Sequence, residues 1–148
     1  MRHYLFLIIS IFFIGNLKAQ FPVNTSKGSI ALNGYDLISY FEGEATQGNK
    51  KYTALYNGVT YYFDSVNHLQ AFNTSPTKYL PEYGGYCAYA MAESGKLVDV
   101  NPKSFLIINN KLYLFYDAWG VNTRKKWLQK SESHQIISAD NYWDQLKN

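Results

Sequence analysis

The sequence predicts an α+β domain, with an antiparallel sheet built from two β-hairpins and short helices packed on it. Three observations carry this. Asn57-Gly58 separates two runs of β-forming residues, 51–56 and 59–63. Asn109-Asn110 separates a second such pair, 104–108 and 111–116. Both positions of a two-residue hairpin loop need positive φ, which Asn and Gly tolerate best. Before, between and after the hairpins, apolar residues recur at helical intervals.

In chain order, residues 1–19 have the layout of a secretion signal. Arg2 precedes a nearly continuous apolar run over 5–15, and Leu17-Lys18-Ala19 offers a cleavage site. The run falls short of the roughly 20 residues that span a bilayer, so removal is expected and no stable membrane anchor remains. The mature protein then starts near Gln20 and is periplasmic or secreted. Residues 20–29 are polar, contain Pro22 and Gly28, and read as an N-terminal arm that orders on contact. A single domain takes residues 30–148, with no tandem repeat and no linker to divide it.

Within that domain, Asn33-Gly34 marks a turn. Asp36 is placed to cap a short helix whose Leu37, Tyr40 and Phe41 share one face. Residues 42–51 form a polar surface loop ahead of the first hairpin. Ser65 opens a helix through Val66, Leu69 and Phe72 that Ser75-Pro76 stops. Next comes Tyr83-Gly84-Gly85-Tyr86-Cys87-Ala88-Tyr89-Ala90, which holds the only cysteine. It is expected at the centre of the fold, helical from about Glu82 or soon after Gly85 and ending at Gly95. Its glycine pair lets the backbone take positive φ and pass close to a neighbour. After the second hairpin, Asp117 is placed to cap a helix through Trp119, Val121, Trp127 and Leu128, with Gly120 weakening its first turn. Residues 138–146 form a last amphipathic helix presenting Ile137, Tyr142 and Leu146.

Charge narrows the partners. Removing 1–19 takes Arg2 and Lys18 but no acid, so 14 basic residues become 12 against 11 acidic. The net charge falls from +3 to about +1, too little for a protein working through phosphate or acidic-membrane contacts, and no nucleic-acid partner is expected. The cluster Arg124-Lys125-Lys126 reads as a solvated helix face. One cysteine makes no internal disulfide, which leaves a buried thiol, a metal ligand, a reactive thiol or an intermolecular bridge. The abundant tyrosines suit a core stapled by phenol hydrogen bonds.

Several of these segments together resemble the YHS domain. They are Gly34-Tyr35-Asp36, the stretch from Ala54 through Asn57-Gly58 and Tyr61-Tyr62-Phe63 to Asp64-Ser65, then Phe72, Pro76 and Tyr79. Tyr83-Gly84-Gly85-Tyr86-Cys87-Ala88 and the Lys111-Leu112-Tyr113-Leu114 strand resemble its exported, single-cysteine branch, and the likeness covers roughly residues 30–146. In the metal-associated branch of that family, cysteines on a short hairpin and helix are thought to bind soft metals. The corresponding positions here are Ser39, Asp64 and His68. The resemblance therefore implies the fold but not a thiolate metal site, and the exported branch implies no settled activity.

Three constellations remain as candidates. Asp64 and His68, and likewise Cys87 and Met91, are four residues apart, so each pair can share a helix face. If the two helices packed together, a carboxylate, an imidazole, a thiolate and a thioether would converge as a site for copper or, without Met91, zinc. The plainer alternative has Asp64 as a helix cap, Met91 as core filling and His68 at the surface. Cys87 could instead be a nucleophile if the first turn of a helix lowered its pKa, with His68 or His134 as base, or simply a buried small hydrophobe. Tyr61, Tyr83, Tyr86, Tyr89 and Trp119 could line an aromatic ligand pocket, the tyrosines at 83, 86 and 89 forming one helical stripe. The same stripe also suits packing on a sheet. The expected function is an exported, non-catalytic binding module, for a transition metal such as copper or zinc. A thiol enzyme, a small-ligand binder and an envelope-assembly module are the alternatives.

Overall fold

The structure, a computed structural model, describes residues 22–147. The expected signal over 1–19 lies outside the described residues. From Pro22 the chain is already docked. Asn24 donates its backbone N–H to the carbonyl of Gly84 (2.8 Å) and its side-chain amide to the carbonyl of Gly85 (3.1 Å). Strand β1 (Thr25–Ser26) pairs antiparallel with β2 (Ile30–Ala31).

Helix α1 (Leu37–Phe41) starts where the sequence places it. Asp36 has extended backbone and its carboxylate accepts the N–H of Ile38 at 2.8 Å. Leu37, Ile38, Ser39 and Tyr40 are all buried, so the inward face is wider than one stripe. The first hairpin follows as β3 (Asn49–Tyr56) and β4 (Val59–Phe63), with Asn57 and Gly58 at φ 49° and 75°. Because β2 joins β4 in parallel at Ile30↔Thr60, the hairpin sits in a four-stranded sheet of order β1-β2-β4-β3. Ser65 caps α2 (Val66–Thr74), and the ring of Phe72 meets Tyr56, Tyr61 and Phe63 beneath the sheet. A short α3 (Pro76–Tyr79) leads to the glycine pair.

Of the two expected helix starts the later one holds, soon after Gly85 rather than at Glu82. Glu82–Gly85 forms a 3-10 turn in which Tyr83 and Gly84 are left-handed (φ 53° and 62°), Tyr86 is extended, and α4 (Ala88–Ser94) begins only after Cys87. Packing decides this. A Cβ on Gly84 would lie 2.2 Å from the carbonyl oxygen of Pro22, so the arm and this turn fit only through a bare glycine. The expected stripe of Tyr83, Tyr86 and Tyr89 therefore does not form, since only Tyr89 is in the helix. Gly95, at φ 66°, ends α4 as expected.

The second hairpin is β5 (Asn101–Ile108) and β6 (Lys111–Phe115), with Asn109 and Asn110 at φ 50° and 59°. The helix expected from Asp117 starts later. Asp117–Ala118 (β7) and Val121–Asn122 (β8) form a small hairpin, and α5 (Thr123–Leu128) is capped by Asn122, whose side chain accepts the N–H of Lys125 at 2.9 Å. Trp119 and Gly120 form its turn, both at positive φ, and Trp119 is 95% exposed. Helix α6 (Glu132–Leu146) begins earlier than expected and turns inward Gln135 and Ala139, while Ile137, Tyr142 and Leu146 are exposed.

Strand β6 divides the interior. A strand sends alternate side chains to opposite faces. Leu112 and Leu114 join the core formed by the first hairpin, α1 and Phe72. Tyr113 and Phe115 join a second core with Tyr83, Met91, Trp127 and Ala139. The glycine-tyrosine-cysteine segment runs beside β6 through parallel bridges Pro81↔Leu112 and Cys87↔Leu114. The α+β class holds, with each long hairpin in its own antiparallel pairing and short helices against them. Among the described residues, no helix is long and apolar enough to cross a membrane.

Candidate functional site

Two helix starts meet at one cluster. Asp36, fully buried, ends the approach to α1, and Asp64 follows the last residue of β4. Asp36 Oδ2 accepts the backbone N–H of Asp64 at 2.8 Å, which ties these two helix starts together. His68 lies in the first turn of α2, where its N–H is held by Ser65 Oγ at 3.2 Å. Its ring turns back toward α1. Nδ1 lies 2.7 Å from Asp36 Oδ2 and 3.1 Å from Asp64 Oδ1, and Nε2 lies 3.2 Å from Glu42 Oε1. Burial pulls the His68 pKa down, but the hydrogen bond to Asp36 and the charges of Asp36, Asp64 and Glu42 outweigh it, so it stands above the ordinary 6.5. One donor atom each from Asp36, Asp64 and His68 lies within 4.8 Å of the others, a set able to hold a metal ion.

Cys87 and Met91 are not in that set. Cys87 is fully buried at the start of α4, where Sγ accepts the N–H of Tyr116 (3.4 Å) and lies 3.4 Å from Thr123 Oγ1. The Thr123 hydroxyl donates to the carbonyl of Tyr116 at 2.8 Å, so the thiol is the donor between Cys87 and Thr123. The thiol is thus satisfied by one backbone N–H and one hydroxyl, with no histidine or cation among its polar contacts. Met91 fills the second core beside Trp127 and Phe115. The four-residue spacing that unites Asp64 with His68 instead sets Cys87 beside Leu114 of β6 and Met91 in the second core.

The aromatic candidates also divide. Tyr61 and Tyr83 line an open cavity of about 690 Å³ together with Tyr56 and Trp143, whereas Tyr86, Tyr89 and Trp119 do not. Tyr83 donates its hydroxyl to Asp140 Oδ1 at 2.9 Å, and burial, reinforced by that bond, raises its pKa strongly. Tyr40 donates to the carbonyl of Pro102 at 2.9 Å. Tyr89 instead has Lys130 Nζ 5.2 Å from its ring centre.

Two residues of the acid–histidine cluster escaped the sequence reading in that role. Asp36 is legible only as a helix cap. Glu42 is six positions further on, and no spacing rule joins it to a histidine beyond the first hairpin. The available signal was an aspartate whose capping duty leaves one oxygen free. Compared with known proteins, the chain matches no family model, no curated protein and no solved structure.

Proposed function

We propose that this protein is an exported, non-catalytic binding module of the YHS type that holds one divalent transition metal ion, zinc or copper(II), on Asp36, Asp64 and His68. One observation carries the reading: His68 Nδ1 faces two carboxylate oxygens at 2.7 and 3.1 Å while Glu42 stands behind its other nitrogen. Bonds of about 2.0–2.2 Å put neighbouring donors about 3 Å apart around square-planar copper(II) and about 3.4 Å apart around tetrahedral zinc, so these contacts need open by only a few tenths of an ångström to admit an ion. Replacing the shared proton by a metal leaves Asp36 satisfied, because its oxygens keep the N–H bonds of Ile38 and Asp64. The neutral imidazole then donates Nε2–H to Glu42, the outer carboxylate that orients a metal-bound histidine.

The donor set selects the metal class. One imidazole and two carboxylates suit zinc or copper(II), and the absence of a thiolate removes the affinity for soft copper(I). The resemblance to the YHS domain adds support, since two of its three metal-associated positions, Asp64 and His68, fall in the cluster. The third, Ser39, donates Oγ–H to the backbone carbonyl of Asp36 at 2.8 Å.

The test is titration of chelator-stripped protein with zinc and with copper(II), followed by elemental analysis and native mass spectrometry. One ion per chain is expected, lost in Asp64→Asn and His68→Ala and kept in Cys87→Ser. Free metal at a hundred times its dissociation constant should stabilise the fold by about 2.7 kcal/mol, an increment that chelation removes. Absence of uptake, or uptake indifferent to His68→Ala, overturns the assignment.

A further inference from the structure

The cavity lined by Tyr56, Tyr61, Tyr83 and Trp143 lies apart from the acid–histidine cluster, as none of Asp36, Asp64 and His68 reaches it. Its volume, about 690 Å³, falls in the range of small-molecule sites. Its walls are mainly apolar and aromatic, with Leu32 and Leu80 beside the rings. The two charged side chains on it are already matched: Glu82 pairs with Lys111 at 3.2 Å, and Lys147 with Asp144 at 2.8 Å. A charged ligand therefore finds no spare counter-ion there.

Tyr61 supplies the second observation. Its ring is buried, the residue being only 4% exposed, while its hydroxyl keeps some accessible surface and makes no hydrogen bond to any described residue. A buried phenol normally finds a partner, as Tyr40 and Tyr83 do. Tyr56, close enough to perturb Tyr61 electrostatically, also lines the cavity with no hydrogen-bond partner for its hydroxyl among the described residues. Burial, with Tyr56 adding to it, pushes the Tyr61 phenol up to about 12, so it stays a neutral donor throughout the physiological range. Flat aromatic walls, no free charge and two uncommitted O–H donors define one ligand chemistry.

We infer that this cavity binds a planar, uncharged aromatic or conjugated molecule through a carbonyl-type acceptor directed at the hydroxyls of Tyr61 and Tyr56. The ring system lies against Trp143 and Tyr83, and the acceptor completes the phenols. The inference is independent of the metal reading.

The probe is 9-fluorenone, compared with fluorene, which has the same ring system but no carbonyl. Trp143, alone of the three tryptophans, lines the cavity, so binding is followed by tryptophan quenching and confirmed by calorimetry. One saturable site is expected, with fluorenone bound about tenfold more tightly than fluorene. Tyr61→Phe keeps the ring and removes the donor, and should bring fluorenone down to the fluorene value while leaving fluorene unchanged. Tyr56→Phe should erode the same preference, which serves if Tyr61→Phe melts early. His68→Ala should bind fluorenone as the unaltered chain does. Failure of both compounds to saturate overturns the inference. So does equal affinity for the two, or a carbonyl preference that survives both tyrosine substitutions.

Discussion

Asp64–His68 and Cys87–Met91 start from the same four-residue spacing and end in opposite surroundings. At the first pair, two helix starts and the end of β4 converge on a buried carboxylate, and charge gathers with one edge open to Glu42 and solvent. At the second pair, the residues pack against β6 and α5, and the thiol is capped by a hydroxyl and a backbone N–H in a dry interior. Spacing brings two side chains onto one face, but the facing element decides what that face does. Where the facing element ends in an aspartate, the pair becomes a candidate ion site. Where it is the apolar face of a strand, the pair becomes core.

The contrast breaks most sharply at Asp36. Asp36→Ala removes the cap of α1, strands the N–H of Asp64 and leaves His68 without its closest partner. A loss of about 3 kcal/mol in chemical denaturation is expected, and a loss under about 1 kcal/mol would mean that the cluster is not what holds the two helix starts together. On the thiol side the backbone is the critical part. Gly84→Ala forces a methyl onto the carbonyl of Pro22 at a left-handed position, so about 2 kcal/mol or more should be lost. Gly85→Ala should lose nearer to about 1 kcal/mol, because its neighbours are the side-chain ends of Leu32 and Pro81 at 3.1 and 3.3 Å.

Cys87→Ser should lower stability by only about 1 kcal/mol, since Thr123 and Tyr116 can serve a hydroxyl as they serve the thiol. Metal content should stay unchanged and the native thiol should label slowly. Rapid labelling of the folded, metal-free protein would return Cys87 to the nucleophile reading.

The smallest effect is expected from pH, because burial and carboxylate attraction oppose each other at His68. Its folded pKa is raised, so the contribution to stability is fully present below the unfolded value of about 6.5 and is lost as pH rises through the folded pKa. His68→Ala should flatten that part of the profile. Metal affinity should run the other way, increasing with pH as the ion replaces the proton. Parallel pH dependences for stability and metal uptake would break the link between them.

The hairpins were legible because Asn-Gly and Asn-Asn carry their turn geometry locally, and all four residues take the positive φ expected of them. The caps at Asp36 and Ser65 were legible for the same reason, each binding an N–H within three residues. The misreadings share one cause. The stripe of Tyr83, Tyr86 and Tyr89, the helix from Asp117 and the inward face of α6 were all inferred from periodicity, which misses both contacts with distant segments and, for the Asp117 helix, the neighbouring β7–β8 hairpin. The arm at Pro22 bends the turn at Gly84, Asn122 takes the capping role from Asp117, and α4 selects the Ala139 face of α6.

The sequence by itself determined the elements whose hydrogen bonds close within a few residues: two hairpin turns, two helix caps and the left-handed stop at Gly95. It also set the α+β class, because the alternation of strand and helix periods is a local property. Only the tertiary structure decided that β6 would part the interior into two cores and carry Cys87 away from His68. Tertiary packing alone also brought Asp36 and Glu42 to the histidine and opened a cavity in front of Tyr61. Those outcomes rest on contacts between residues far apart in the chain, such as the 28-residue separation of Asp36 from Asp64 and the 32-residue separation from His68. Closing such loops is favourable only when burial and hydrogen bonding across the whole domain offset the lost chain entropy, a balance that no local pattern encodes.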